Sequence, residues 1–436
     1  MQRKTQLFSN FSNAIKTTAN TIRPDNEAQL KTVFTTHPNI GILARGNGLS
    51  YSDCCVNDGG TIVDTTRLNH IISFDPIMGI AVCQGAVTFA DLFLIDKHFI
   101  PPVLPGTLHA TLAGGVANDI HGKNNPHAGS LGHHIEWLEL QLGDQLLRCS
   151  PSENYELFKA TIAGVGLTGV ITRIALRLRK ASRFVTKETE KFTCFPSLMH
   201  YMQNEGIKYD YQVAWLDLLN TPHALLSLAT HVAPAGDEKI LTTPKRLHTA
   251  PKLPLRVITP YFMKQFNRFY YYQAKNETQR LSLWQFNNPL DTVNDWNRVY
   301  GKNGALQFQA VFDVADADTT LDALLTIIKL HNASPTLAVL KYFTKPGTGL
   351  LSFAQPGFTI AIDFIHNQQA RRAVAAMNQL ISTLPGKIYL AKDLLLDRKQ
   401  FTIMYPQHDE FCNILTRYNS LMGSDLGKRL GLGNLR

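Results

Sequence analysis

The chain is poor in charge and in cysteine, and each shortage excludes something. Asp, Glu, Lys and Arg together make up 18% of the 436 residues, below the roughly 25% of ordinary soluble proteins. With 44% hydrophobic and 9% aromatic residues, the composition favours burial over solvation and rules out disorder as the general state. The six cysteines, Cys54, Cys55, Cys83, Cys149, Cys194 and Cys412, are too few and too scattered for a disulfide scaffold. None forms a CxxC pair, which argues against zinc ribbons and thioredoxin-type redox chemistry. The adjacent Cys54 and Cys55 read as reduced, packed thiols. No run of about 18 apolar residues occurs, so no membrane-spanning helix is expected. The polar opening stretch lacks the roughly 7–15-residue apolar core of a secretory signal. A cytoplasmic protein, or one peripheral on a membrane face, is expected. GxSxG is also missing, which argues against an α/β-hydrolase. His121, His127, His133, His134 and Glu136 lack helical i, i+4 spacing and a cysteine partner, so no metal site is expected.

What charge there is sits unevenly. The net charge is +9, and residues 237–280 hold nine basic against three acidic residues. Tyr261, Phe262, Phe266, Phe269, Tyr270, Tyr271 and Tyr272 are interleaved with the basic ones. Prolines 244, 251, 254 and 260 keep the first half of this window from being one helix. Three readings compete: stacking on single-stranded nucleic acid, contact with an anionic membrane, and a solvated loop followed by a helix that packs its rings inward.

The length allows two or three domains. In the first 180 residues short apolar strands are expected at 40–43, 61–64 and 81–84. A helix is expected over 88–98, capped by Thr88 with Asp91 three residues on. Tyr155 to Ile162 looks helical, and 170–178 alternates as a half-exposed strand. Beyond Lys180, strands at 211–218, 306–312, 337–343 and 358–364 and helices at 318–331 and 370–383 indicate a second α+β domain.

Three glycine-rich stretches carry the candidate chemistry. Gly164-Val-Gly-Leu-Thr-Gly169 matches GxGxxG but follows a helix and opens a strand, the reverse of a Rossmann turn. Arg45-Gly46-Asn47-Gly48-Leu49-Ser50-Tyr51-Ser52-Asp53 follows a strand and joins glycines to hydroxyls. Such a loop can converge backbone N–H groups on a phosphate. Pro105-Gly106-Thr107, followed by Thr111-Leu-Ala113-Gly114-Gly-Val-Ala-Asn118-Asp-Ile-His121-Gly122-Lys-Asn124, makes a second such stretch. Two loops of this kind in one domain could bracket a dinucleotide.

These two loops, with Gly166-Leu-Thr-Gly169, resemble the FAD-linked oxidases of the vanillyl-alcohol oxidase (PCMH-type) superfamily. Within it they are similar to the oxidase subunits of the decaprenylphosphoryl-β-D-ribose 2′-epimerases. The likeness extends through Ala214-Trp215-Leu-Asp217, Leu306-Gln307-Phe-Gln309, Tyr389-Leu-Ala-Lys392-Asp393, Met404-Tyr-Pro406 and Lys428-Arg-Leu430, nearly the whole chain. It implies an α+β fold: a PCMH-type two-subdomain FAD-binding domain at 1–183, a substrate domain at 184–386 with an antiparallel sheet flanked by helices, and a C-terminal segment, 387–436, returning to the FAD domain. FAD would lie on residues 45–53, Gly106, Thr107, Thr111, Ala113, Gly114, Asn118, His121, Gly122, Asn124, Ile171 and Tyr389. Members that bind flavin covalently carry a histidine in the first loop; Leu49 stands there, implying dissociable FAD.

The resemblance further implies oxidation of a secondary hydroxyl on a lipid-linked, phosphorylated pentose, as the first half of an epimerisation. Lys392, Lys341 and Tyr51 would be catalytic, and Gln307, Gln309, Trp215, Lys341 and Lys392 would line the substrate pocket. A short-chain reductase would be the partner, with peripheral membrane contact through 237–280 and no nucleic acid. Ala361, Asn287 and Thr359 depart from the family's cysteine, tyrosine and asparagine, which touches the substrate rather than the flavin. The competing expectations are an FAD-dependent oxidase of a soluble sugar, alditol or aldonolactone, and a flavin-free binding protein that keeps the fold.

Overall fold

The computed structural model describes residues 3–36, 41–234, 248–250 and 258–433. Three sheets carry the architecture. The first has four strands: Lys4–Ser9 pairs antiparallel with Lys16–Ile22, which runs parallel to Thr61–Asp64, itself parallel to Ile42–Arg45. The second has five antiparallel strands in the order Ile71–Asp75, Ile80–Gln84, Val170–Arg177, Ile135–Leu142, Gln145–Cys149. The third is an eight-stranded sheet that begins at Phe184–Phe192 and ends at Gly386–Ile388, formed around Tyr211–Asp217, Pro335–Phe343, Gly357–Ile365 and Ala305–Phe312.

One face of the third sheet is sealed by amphipathic helices. Ala317–Leu330 and Gln368–Ile381 present Leu321, Leu324, Ile328, Ala373, Val374 and Met377 to the core that holds Leu340, Ile360, Ile362 and Phe308. The opposite face looks toward the first part of the chain, and the site lies there.

Two expectations need correction. The helix after Gln84 is a single turn, Phe89–Leu92, although its capping box of Thr88 and Asp91 is as read. The outer face of the Val170–Arg177 strand is drier than expected: Ile171 and Ala175 on it are buried, and only Arg173 and Arg177 are partly exposed. It is the central strand of its sheet, and Arg173 and Arg177 pair with Glu27 and Glu136. The GxGxxG glycines do follow the Tyr155–Thr161 helix and precede that strand. Their use is packing: a Cβ on Gly164 would lie 2.1 Å from the Ala160 carbonyl oxygen, and one on Gly169 3.0 Å from that of Gln141. In the basic window, Lys239, Lys245, Arg246, Lys252, Arg256 and prolines 244, 251 and 254 lie outside the described residues, as does the Ile40 start of the first expected strand. The remainder of the window forms the helix Pro260–Gln273, capped by Thr259 with proline at its first position.

Candidate active site

The two glycine-rich loops lie against each other. Asn47 donates to the His109 carbonyl at 2.7 Å, and a Cβ on Gly46 would meet the Thr111 hydroxyl at 2.5 Å. Gly48 takes φ +63, a conformation side chains resist. Arg45 braces the loop: its guanidinium donates to the carbonyls of Ser9 and Cys55 and lies over Phe8. Gly106 is open, with no atom near the place of a Cβ. Thr111 caps the Leu112–Ala117 helix through the Gly114 N–H. Asn118 donates to the Gly114 carbonyl at 2.9 Å, and Asn124 to that of Pro102 at 2.8 Å, while a Cβ on Gly122 would strike Asn124. Thr107 accepts from the His109 N–H, and Ala113 N–H bonds the Gly85 carbonyl beside buried Ile171.

The C-terminal stretch closes this region. Tyr389 donates its hydroxyl to the Asn118 carbonyl at 2.9 Å. Ser50 donates to the Ala391 carbonyl at 2.7 Å, and the Ser52 N–H bonds the same oxygen. These bonds place the Lys392 ammonium 3.8 Å from the centre of the Tyr51 ring, a close cation–π contact. Behind them Arg429 bridges two carboxylates, reaching Asp53 at 2.7 and 2.8 Å and Asp393 at 2.8 Å.

The pocket-side face of the eight-stranded sheet follows from register, because directly opposed antiparallel residues share a face. Trp215 opposes Val339, Val339 opposes Ala361, and Ala361 opposes Gln309. One pair along, Lys341 opposes Thr359; on the other side Gln307 opposes Asp363. Trp215, Val339 and Ala361 are half-buried where the residues flanking them on the other face are buried, and Lys341 is half-buried as well. Gln307 donates to Asp363, and its own side-chain oxygen has no partner among the described residues. Gln309 binds His121 at 2.9 Å between its amide nitrogen and Nε2. The histidine ring is caged by Phe343, Phe353 and Tyr389, with centroids 4.9 to 5.4 Å away.

Electrostatically the site is a set of cations short of partners. Burial pulls the Lys341 ammonium down to about 8. Burial does the same to Lys392, also to about 8, although Asp363 works the other way. Lys123 is lowered to about 7 by burial and by Lys341 and Lys187; it donates to the Phe286 carbonyl at 2.7 Å. Burial, then Lys341 and Lys392, hold His121 well below the usual imidazole range, so it is neutral. With Gln309 donating to Nε2, the proton of that neutral ring belongs on Nδ1, which is buried without a partner. Tyr51 is kept a phenol by burial.

Residues 18–150 match the FAD binding domain family. The chain is 29% identical to decaprenylphosphoryl-beta-D-ribose oxidase of Mycolicibacterium smegmatis over 419 residues, 90% of this chain and 89% of that protein. It is 26% identical to a putative D-arabinono-1,4-lactone oxidase of Neurospora crassa over 161 residues, 36% of this chain and 29% of that protein. The chain carries an FAD binding domain and is an FAD-dependent oxidoreductase.

The residues present fit the FAD that this family uses. Gly106 has open space where a Cβ would lie beside the paired loops, and Asn118 Oδ1 and His121 Nδ1 are buried polar atoms with no partner among the described residues. A buried polar atom left unpaired is costly, and a flavin dinucleotide offers both donors and acceptors. The site also has two features that the sequence reading passed over. Lys123, inside the recognised Asp119–Asn124 run, is a third buried ammonium; its position two residues from His121 was the available signal. Asp119, with φ +41, accepts from Ser130, the Gly132 N–H and Ser352 at 2.7 to 2.9 Å, fixing the backbone that presents His121. Asn287 is buried beside the Pro105 carbonyl rather than on the sheet face with Ala361 and Thr359. No group of three or more metal-ligating side chains occurs among the described residues.

Proposed function

We propose that this FAD-dependent oxidoreductase oxidises the C2 hydroxyl of a polyprenyl-phosphate-linked pentose to a keto sugar. The observation that carries the reading is the cation set: Lys123, Lys341 and Lys392 border a floor of half-buried apolar side chains with one carboxylate, Asp363, near them. Three partly buried ammoniums that share one carboxylate leave unbalanced positive charge, which costs stability, and an anionic phosphodiester with a polar sugar offsets that cost. Similarity over most of the chain to an oxidase named for decaprenylphosphoryl ribose supports the same substrate class.

FAD held on the 45–53 and 106–124 loops, Ile171 and Tyr389 would supply the two-electron acceptor for the carbinol hydride, which with loss of the hydroxyl proton gives C=O. The chain's residues orient the carbinol and oppose the charge that builds on its oxygen. Lys392, held against Tyr51, and Lys341 supply that positive field in a site largely shut to water. Neutral His121, aimed by Gln309, adds an Nδ1–H donor. The keto sugar then passes to a short-chain reductase partner, and the basic, aromatic 237–280 window meets the membrane that holds the substrate.

Anaerobic titration of the yellow holoenzyme tests the reading. Polyprenyl-phosphate pentoses should bleach the flavin, free pentoses and aldonolactones should not, and Lys392→Ala should keep its FAD yet fail to bleach. Bleaching by free sugars alone would transfer the activity to a soluble substrate.

A further inference from the structure

The Pro260–Gln273 helix carries two stripes with the same four-residue spacing, which places each on one helix face. Met263, Asn267 and Tyr271 are buried. Asn267 donates to the buried Asp217 carboxylate at 2.8 Å, and Tyr271 stacks on His223 at 4.1 Å, so this stripe fastens the helix beside the pocket-facing sheet. The second stripe, Phe262, Phe266 and Tyr270, is 44 to 45% exposed. Its rings stack in sequence, with centroids 6.3 and then 5.9 Å apart, and Tyr270 meets Trp215 edge-on at 4.9 Å.

Trp215 is two residues before Asp217 on the same strand and opens the row Trp215, Val339, Ala361, Gln309 across the sheet. Four neighbouring strands span about 14 Å at the usual spacing. Beyond Gln309 is His121. An unbroken aromatic and aliphatic line therefore joins an exposed helix face to the reacting end of the pocket.

We propose that the Phe262–Phe266–Tyr270 ladder is the track along which the prenyl chain of a lipid-linked substrate lies, handing it to Trp215 and the sheet. The proposal rests on the lipid-linked reading of the substrate. Its argument is continuity: the ladder ends on a ring of the pocket itself, and its stacked apolar faces match in polarity a long hydrocarbon of methyl-branched isoprene units. Tyr261, 74% exposed on the same helix, lies outside the stack and serves as a control.

The test is equilibrium binding of farnesyl phosphate and decaprenyl phosphate to the oxidised holoenzyme in detergent micelles. Wild type should prefer the long chain by about tenfold, a fraction of what burying one or two aromatic rings supplies. The double variant F262S/F266S should lose that preference while binding farnesyl phosphate as wild type does, and Tyr261→Ser should keep it. A preference that survives the double variant, or is absent from wild type, overturns the track. Equal loss in Tyr261→Ser overturns it too, because the helix would then only anchor the protein on the apolar phase. Flavin bleaching by the pentose is read separately: chain-length preference without bleaching sinks the sugar assignment and leaves the track standing.

Discussion

Lys341 and Lys392 show what a single residue's surroundings do to its chemistry. Each is an ordinary lysine in sequence, and each titrates near 8 in the fold, because burial penalises the charged form. An anion in the pocket favours that charged form, so binding raises both values and takes up protons. Affinity for a phosphate monoester should therefore be full below about pH 7 and fall as pH rises through 8, by up to about tenfold per pH unit for each lysine that must be charged. Calorimetric titration of decaprenyl phosphate across this range checks the slope, and Lys341→Met should flatten part of it. A flat wild-type profile would mean that neither ammonium meets the phosphate. Lys341 was legible as a cation inside an apolar strand. Lys123 carried only its nearness to His121 as a signal, and a loop sequence does not say how far a lysine is desolvated.

At the scale of elements, the C-terminal helix Asp425–Leu430 matters more than its length suggests. Arg429 joins the flavin-loop carboxylate Asp53 to Asp393, whose side chains are 8 and 1% exposed. Asp393 also accepts from the Leu395 and Leu396 N–H groups, so the turn that presents Lys392 is fixed from behind. Removing the guanidinium in Arg429→Met strands two buried carboxylates and should cost about 3–5 kcal/mol in urea unfolding. Arg429→Lys should recover only part of this, because an ammonium cannot reproduce a planar fork on two acids. A loss below about 1 kcal/mol would show the pair to be no stronger than an exposed one. Lys428-Arg-Leu430 was recognisable as a pattern, but a partner 376 residues away in the chain is invisible to local reading. The same limit applies to the strand Val170–Arg177: its alternation puts Arg173 and Arg177 on the wetter face, as found, but the burial of Ile171 and Ala175 beside them depends on its central place in the sheet. The Pro260–Gln273 helix was half legible, its aromatic richness plain, its division into a buried and an exposed stripe hidden under the net charge of the window.

For the whole molecule, the flavin site and the substrate sheet are tied at several points along one seam. The Leu108 N–H bonds Asp291 at 2.8 Å, Asn288 bonds the Pro105 carbonyl at 2.8 Å, Gln309 bonds His121, and Ser352 bonds Asp119 at 2.7 Å. Residues expected to hold FAD come from positions 45–53, 106–124, 171 and 389, and the last of these belongs to the stretch that leaves the substrate sheet. A ligand gripping all of them binds the folded chain and not the unfolded one, so it stabilises by mass action, about 2.7 kcal/mol at a hundredfold excess over Kd. Because the seam makes both halves one cooperative unit, that stabilisation should shift the entire unfolding transition. Apoprotein, freed of flavin at high bromide concentration, should melt several degrees below holoprotein, and added FAD should raise one common midpoint followed by flavin fluorescence and far-UV signal alike. Leu49, in the place where covalent members carry histidine, has no nucleophile for the ring, so acid precipitation should leave FAD intact in the supernatant. Two transitions, of which FAD moves only the first, would show that the seam does not couple the substrate sheet to the flavin site, and the bonds across it would then be contacts without energetic weight.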